Sequence, residues 1–163
     1  MKRASGTTGR RAGAILFLVL ALAPTACASG GGGPALKQVS FAPSLDVQLD
    51  RMTRLPSGVY VQDLVQGVGE EAGLGNQVRI QYVGWLADGT RFDSSLQRGE
   101  PLQFRLGRDE VISGWDAGIR GMKEGGQRLL VVPPSEGYGA RGAGDAVPPN
   151  AVLVFRVQLL EVR

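Results

Sequence analysis

Few side chains in this sequence are able to perform chemistry. Its 163 residues include no histidine and one cysteine, Cys27. Without imidazole there is no histidine general base, no Ser-His or Cys-His nucleophile pair and no histidine-ligated metal. A single cysteine also excludes an intrachain disulfide framework and a cysteine-rich zinc site. The composition therefore argues against a hydrolase with an activated nucleophile, and we expect no metal site and no cofactor.

One glycine motif imitates a nucleotide-binding site. Residues 137–142, with the sequence GYGARG, satisfy the dinucleotide pattern G-x-G-x-x-G. That motif requires a strand before it and a helix that opens inside it. Pro133 and Pro134 precede it, and Pro148 and Pro149 follow it, so no helix can start properly there. We expect a loop at this position rather than a phosphate cradle.

Aromatic and acidic side chains are the remaining candidates, and each one alone has an ordinary structural explanation. Trp115 and Phe155 would usually be core residues. Tyr138 lies between two glycines and would usually be a loop aromatic that packs on the domain. Asp93 precedes two serines and would ordinarily be a turn or cap residue. Only a joint pattern can assign these residues a function.

The elements that must position these residues are mostly strands. Glycine (25 residues) and proline (9) are abundant, which favours turns and short strands. Alternate residues from Leu153 to Leu159 form a continuous apolar face, typical of a sheet with one side on a core. Strands are predicted at residues 59–65, 77–86, 102–106, 128–132 and 152–162.

One helix is predicted, and it carries Trp115. Ser113 and Asp116 have the spacing of a capping box, with Ser113 as N-cap. Trp115 and Ile119 then fall on one face, and Gly121 suits a left-handed residue at the C-terminus. Five antiparallel strands and one short helix predict a single α+β domain.

The N-terminus has the organisation of an export signal. Four basic and no acidic residues precede Cys27, and residues 12–23 form an apolar run. A membrane-spanning helix needs about 20 residues, so the run is too short for one and is typical of a secretory signal peptide. We predict a signal peptide at 1–26. From Cys27 onward there are 14 basic and 15 acidic residues, so no nucleic-acid partner is expected.

Cys27 follows this leader at a position that resembles a lipidation site. Residues 24–27, PTAC, are similar to the processing site of bacterial lipoproteins, although Pro24 stands where leucine is typical. Residues 28–34, ASGGGGP, are typical of a flexible spacer between an anchor and a folded domain. We predict lipidation at Cys27 and a tether over 27–40. Ordinary cleavage at Ala-Cys-Ala, residues 26–28, is the alternative, and it would give a soluble exported product.

The stretch between the tether and the main strands has no firm period. Leu45, Val47 and Leu49 alternate with polar residues, which suits a short strand or an extended arm. We expect an N-terminal arm at 41–56 and the main domain at 57–163.

Four gapped motifs in this main domain resemble the FKBP-type peptidyl-prolyl isomerases. All four occur in the family's order and close to its spacing, so the resemblance covers about residues 57–163. The motifs are VGWLADGTRFDSS at 83–95, LG at 106–107 with EVISGW at 110–115, SEGYGARG at 135–142, and VPPNAVLVF at 147–155.

The resemblance implies a half-barrel sheet wrapped across the helix, with an apolar pocket between them for a substrate proline. Trp115 would form the floor under the proline ring. The Tyr138 hydroxyl and the Ile112 N–H would hydrogen-bond substrate carbonyls, and Asp93 would add polarity beside the twisting amide. The implied catalytic residues are Tyr82, Asp93, Ile112 and Tyr138, and the implied substrate-binding residues are Phe92, Phe104, Val111, Trp115 and Phe155.

The resemblance also implies a role and partners. The substrates would be proline-containing segments of folding proteins in the bacterial cell envelope, with macrolides such as rapamycin as candidate inhibitors. Leu102 stands where eukaryotic members commonly have phenylalanine, and Ala143 where they often have histidine, which should alter substrate preference and macrolide binding. A lipid anchor would be the membrane contact, and a monomer is expected. The alternative is a non-catalytic chaperone or proline-peptide-binding module with the same fold.

Overall fold

A computed structural model describes residues 36–163; the predicted signal peptide, Cys27 and most of the predicted tether lie outside the described residues. Seven strands and two short α-helices form the described part. The strands are β1 (Thr53–Arg54), β2 (Tyr60–Val65), β3 (Gln77–Leu86), β4 (Arg91–Ser94), β5 (Leu102–Arg105), β6 (Gln127–Val132) and β7 (Leu153–Val162). The helices are α1 (Ser95–Arg98) and α2 (Ser113–Ile119).

The strands form one antiparallel sheet in the order β1-β2-β6-β7-β3-β4, and β5 pairs with the first half of β3. The long strands β3 and β7 pair from Val78 with Val162 to Leu86 with Leu153. Register shifts interrupt the pairing of β3 with β7 and with β4. Such bulges bend a strand and increase its twist, so they favour a curved sheet.

The inner face of the sheet packs on α2 and forms the main core. Period-two alternation sends one set of side chains from β3 and β7 to this face, and Trp115 and Ile119 of α2 lie against them, both almost fully buried. The largest buried side chains of this inner core include Ile80, Leu106, Ile119, Leu130, Leu153, Phe155 and Leu159.

The N-terminal arm covers the outer face of the same sheet. It contains short 3-10 turns at Pro43–Leu45 and Leu49–Arg51, and a third turn at Leu36–Gln38, at the end of the predicted tether, packs with them. Its buried side chains join those that the strands send outward, and together they form an outer cluster. The members of the outer cluster are Leu36, Leu45, Met52, Tyr60, Leu129, Val131, Val152 and Val154.

The alternation at residues 45–49 does not produce a strand. Pro43 starts a 3-10 turn, and Asp46 after it adopts φ of +50°, a left-handed conformation that ends the turn. The arm therefore buries Leu45 through a compact turn rather than through extended alternation. The strand interpretation of this stretch was wrong.

The predicted α+β half-barrel is confirmed, and the five predicted strands are present with ends that shift by at most one residue. The strand count was too low because β1 has only two residues, both exposed, and β4 only four. The prediction of one helix also missed α1, which has four residues. Within residues 36–163, no helix is long and apolar enough to cross a bilayer.

The predicted capping box at α2 was wrong. Ser113 is the first helical residue, and Ile112 occupies the N-cap position. The Ser113 hydroxyl donates to the Glu136 carbonyl (3.3 Å), and the Asp116 carboxylate accepts from the Gly107 N–H (2.8 Å). Both side chains therefore hydrogen-bond to residues distant in the sequence, and not to the helix N-terminus as the local pattern predicted. The left-handed residue after the helix is confirmed, since Gly121 has φ of +78°.

Glycines let α2 approach β6 closely, which yields a prediction. A Cβ added at Gly114 would lie 2.5 Å from Val132 Cγ1 and 3.0 Å from the Glu136 carbonyl oxygen. In an open helix Gly→Ala gains about 1 kcal/mol, whereas overpacking costs about 1–3 kcal/mol. We expect Gly114→Ala to lower the free energy of unfolding in urea by about 1–3 kcal/mol.

Gly118→Ala is the graded control. A Cβ there would lie 2.9 Å from Leu130 Cδ2, the movable end of a side chain rather than backbone. The loss should therefore be smaller than for Gly114→Ala. Equal losses, or a stabilised Gly114→Ala, would contradict the packing described.

Candidate active site

Five aromatic side chains meet between the inner face of the sheet and α2. The Trp115 ring lies at their centre, with its centroid 4.7 Å from that of Tyr82 and 5.1 Å from that of Phe155. Phe92 lies 5.6 Å from Phe155, and Phe104 lies 6.0 Å from Trp115. Three of these pairs meet edge to face, which is a favourable aromatic geometry. The result is a continuous apolar wall.

Gly84 makes this convergence possible. It lies in β3 and pairs with Phe155 on one side and Asp93 on the other. A Cβ at this position would lie 2.8 Å from both the Phe155 ring and the Phe92 ring. Because β3 has no side chain here, the two rings touch across it.

A polar network borders the aromatic wall. The Tyr82 hydroxyl donates to Asp93 Oδ2 and accepts from Arg98 Nη2 (2.8 Å). Arg98 Nη1 forms an ion pair with Asp93 Oδ1, which also accepts from the Ser94 N–H (2.7 Å). The guanidinium carbon lies 5.5 Å from the centre of the Tyr82 ring, within the range of a cation–π contact. Asp93 is thereby held in one orientation with its charge compensated.

Both tyrosines beside Asp93 keep their protons at neutral pH. Burial, and then the hydrogen bond with Asp93, raise the pKa of Tyr82 above its ordinary value. Burial also raises the pKa of Tyr138, and the negative charge of Asp93 adds to it. Since a free tyrosine titrates near pH 10, both phenols are hydrogen-bond donors under physiological conditions.

The short helix α1 fastens this network to the sheet. Ser94 caps its first turn by accepting from the Gln97 N–H (3.4 Å), and Gly99 ends it with φ of +74°. The fully buried Ser95 hydroxyl accepts from the Tyr82 N–H (2.8 Å) and donates to Gln81 Oε1. The helix therefore continues the contact with β3 after β4 ends, and it brings Arg98 back toward Asp93.

Arg98 is the site residue that the sequence did not suggest. Asp93 was expected to be a turn or cap residue if it had no function, but Ser94 is the cap and Asp93 precedes it. A cap at Ser94 together with a C-terminal glycine at Gly99 outlines a one-turn helix, and this was the signal that could have placed Arg98 near Asp93.

The remaining predicted residues lie at the rim. Val111 and Ile112 are partly buried and pack on the inner core, and Ile112 leads directly into α2. Tyr138 is 39% exposed, in the loop after β6. Leu102 and Ala143 also pack partly buried on this core. Seven of the predicted residues thus belong to or pack on the inner core, namely Tyr82, Phe92, Phe104, Val111, Ile112, Trp115 and Phe155, and Asp93 is hydrogen-bonded to one of them, Tyr82.

Two further properties limit what the site can do. The floor of the site consists of apolar rings, and the Trp115 indole Nε1 is buried there without a hydrogen-bond partner among residues 36–163. In the same part of the chain, no group of three or more Asp, Glu, His or Cys side chains is placed to hold a metal ion. The arrangement offers an apolar surface with hydrogen-bond donors at its edge.

The larger surface grooves lie elsewhere. One of about 720 Å³ separates the arm from the segment at Pro133, and one of about 810 Å³ separates Leu55–Ser57 from the outer side of α2. Neither contains a predicted site residue.

Comparison with known proteins identifies the family of this chain. The family model for FKBP-type peptidyl-prolyl cis-trans isomerase matches residues 69–160. The chain belongs to this family. The FK506-binding protein of Neisseria meningitidis serogroup B is 52% identical over 105 residues, which are 64% of this chain and 96% of that relative. FK506-binding protein 1 of Dictyostelium discoideum is 47% identical over 103 residues, 63% of this chain and 96% of that protein.

Solved FKBP structures share the fold. The crystal structure of AtFKBP13 has a TM-score of 0.65 at 42% identity and covers 69% of this chain and 98% of its own. FkpA from Escherichia coli has a TM-score of 0.64 at 42% identity, and the match covers 69% of this chain and 52% of FkpA. The predicted family and fold are confirmed, and the protein is an FKBP-type peptidyl-prolyl cis-trans isomerase.

The Arg98 contacts give a prediction for this enzyme. Arg98→Met keeps the length of the side chain but removes both bonds to Asp93 and Tyr82. We expect kcat/KM to fall about fivefold, the equivalent of about 1 kcal/mol for a half-exposed charged hydrogen bond. The measurement is cis-to-trans relaxation of a short Leu-Pro peptide.

Arg91→Met is the matched control. Arg91 is an exposed residue at the other end of β4, so its loss changes the net charge equally. We expect kcat/KM of this variant within twofold of wild type. Equal effects of the two substitutions would show that Arg98 acts through net charge rather than through the network.

Proposed function

We propose that this protein is an exported prolyl isomerase that assists folding of proteins in the bacterial cell envelope. One observation supports the catalytic part of the proposal: an aromatic wall centred on Trp115 stands beside the Asp93 network. The basic and apolar leader before Cys27 supports the export part.

The reaction requires no proton transfer to or from an ionisable side chain. Rotation about a peptide bond meets a barrier of about 18–20 kcal/mol because the C–N bond has partial double-bond character. In the twisted transition state conjugation is lost and charge separation falls. An apolar, water-poor surface favours this less polar state over the planar amide, and hydrogen bonds at its edge hold the twisted geometry.

We assign each predicted residue a role in this reaction. The proline ring would lie on Trp115, between the rings of Tyr82 and Phe155, which meet Trp115 edge to face. The Tyr138 hydroxyl and the Ile112 N–H would bond substrate carbonyls. Asp93, oriented by Tyr82 and Arg98, would stand beside the rotating amide. Phe92, Phe104 and Val111 would complete the apolar lining.

Two rim positions should set the ligand preference. Leu102 pairs with Ile80 at the inner core, where an aromatic ring would fill more of the rim. Ala143 forms a two-way backbone pair with Val147 (2.9 and 3.1 Å), so its small side chain stands at the base of the loop that follows Tyr138. We expect weaker contact with macrolides there than phenylalanine and histidine would give.

The catalytic part is tested with Tyr138→Phe, which removes only a hydroxyl from a partly exposed side chain. Wild type should accelerate relaxation of a Leu-Pro peptide, and the variant should lose about fivefold in kcat/KM, the rate equivalent of a hydrogen bond worth about 1 kcal/mol. Tyr60→Phe makes the same change on the outer face, where Tyr60 belongs to the outer cluster, and should stay within twofold.

Other outcomes decide the alternatives. A folded wild type with no acceleration would reject catalysis and favour a proline-peptide-binding or chaperone module. Equal losses in Tyr138→Phe and Tyr60→Phe would remove the assignment of Tyr138 while leaving the isomerase in place.

Lipidation of Cys27 is the second part of the proposal. Eight residues separate Cys27 from Leu36, the first described residue, so an extended chain spans at most about 30 Å between the two. A diacyl anchor at Cys27 would thus keep the domain close to the membrane surface. The glycine-rich composition of the spacer supports a flexible connection.

Fractionation of cells that express wild type or Cys27→Ser tests the anchor. We expect wild type in the membrane fraction and Cys27→Ser in the soluble exported fraction. Cys27→Ala serves as a second variant, because it also removes the thiol but changes polarity in the opposite direction. Membrane retention of both variants would rule out lipidation, and release of wild type would favour ordinary cleavage.

A further inference from the structure

The two site residues Phe92 and Asp93 lie on a weakly held strand. β4 is at the edge of the sheet and pairs only with the second half of β3, over three residue pairs with a register shift after Gly84. The turn that joins β3 to β4 contains the exposed Asp88 and Thr90. An edge strand next to an exposed turn is the kind of segment that opens locally at low free energy.

The arm contacts this turn directly. The Ala42 N–H donates to the Ala87 carbonyl (2.8 Å), which links the arm backbone to the turn. A Cβ added at Gly89 would lie 3.0 Å from Ala42 Cβ and 3.4 Å from Ser44 Oγ, so the turn and the arm are already in close contact. The turn therefore has a second support besides β3.

The supporting part of the arm is itself anchored. Leu45 is 5% exposed in the outer cluster, and the Trp85 ring from β3 packs on that cluster. The Ala42 carbonyl accepts from the Leu45 N–H (3.0 Å), so the residue that bonds the turn also starts the 3-10 turn that buries Leu45. The anchoring residue Leu45 and the contact residue Ala42 are thus three residues apart and are linked by this hydrogen bond.

This support lies outside the common family domain. The family model begins at residue 69, after the arm. The 105 aligned residues of the Neisseria relative are 96% of its length, which leaves too few for an arm of this size. The contact with the turn is thus an addition relative to the family model and to this Neisseria protein.

We propose that residues 41–45 brace the β3–β4 turn, and that docking of this brace on the outer face holds Phe92 and Asp93 in position on the inner face. The brace is a positioning element for the isomerase site. The expected effect of the brace on turnover rests on the proposed function, whereas its expected effect on amide exchange in the turn is independent of that function.

Ala42→Pro removes the donor, and its ring Cδ, which takes the place of the amide hydrogen, clashes with the Ala87 carbonyl oxygen, so this contact of the arm with the turn is lost. Ala42 has φ of −59° and ψ of +136°, values that proline adopts. In the full chain, below the unfolding temperature of every variant, we expect faster amide exchange at Leu86 and Thr90 and a threefold to fivefold loss of kcat/KM, in the order of one lost hydrogen bond. Leu45→Ala undocks the anchor and should act in the same direction, which keeps the test available if Ala42→Pro does not fold.

Met52→Ala is the matched control. Met52 is 8% exposed in the same outer cluster but directly precedes β1, at the opposite edge of the sheet from β4. It should lower the unfolding temperature while exchange at the turn and kcat/KM stay within twofold of wild type. If Met52→Ala changes both as strongly as Ala42→Pro, the arm acts through general stability and the brace is overturned.

A double-mutant cycle separates positioning from stability. Ala42→Pro should have a smaller further effect on kcat/KM in Asp93→Ala, where only Phe92 is left to be displaced, than in Tyr138→Phe, because Tyr138 lies outside the braced strand. Additive losses in both backgrounds, or unchanged exchange at Leu86 and Thr90, would overturn the proposal. If wild type shows no turnover, the proposed function fails, and amide exchange alone decides whether the turn is braced.

Discussion

The contact of Trp115 with the inner face of the sheet is the constraint on which the rest of the structure depends. Gly114 and Gly118 let α2 approach β6, Gly84 removes the side chain that would separate Phe92 from Phe155, and the indole then fills the remaining space. The same contact builds the core and exposes the edge of an aromatic wall. Stability and activity are therefore difficult to change separately at these positions, and the separable residues are those at the rim.

Much of the fold was predictable because its strands are long and alternate clearly. The strands at 77–86 and 153–162 match the alternation of apolar residues. The missed elements are β1, β4 and α1, which are too short to show a period, and their conformation is set by neighbouring strands and by the cap at Ser94. Two predictions were wrong although the local pattern was clear. Ser113 does not cap α2, because its hydroxyl donates to the Glu136 carbonyl, and residues 45–49 do not form a strand, because Asp46 is left-handed.

The site was predictable from four joint motifs and not from single residues. Each site residue also has an ordinary structural role. Trp115 and Phe155 are core residues, and Asp93 is the neighbour of the helix cap Ser94. Arg98 escaped notice because its link to Asp93 depends on a one-turn helix. The contact of Ala42 with Ala87 was also invisible, because a hydrogen bond between backbone groups leaves no trace in residue types.

The two tryptophans of this chain divide between the two faces of the sheet. Trp115 lies in the inner core and Trp85 packs on the outer cluster under the arm. On the proposed function, the Trp115 indole would sense the arrival of a proline ring, and the Trp85 indole would sense the departure of the arm. Fluorescence from the unlabelled protein carries two separate signals, which become distinguishable once either ring is replaced by phenylalanine.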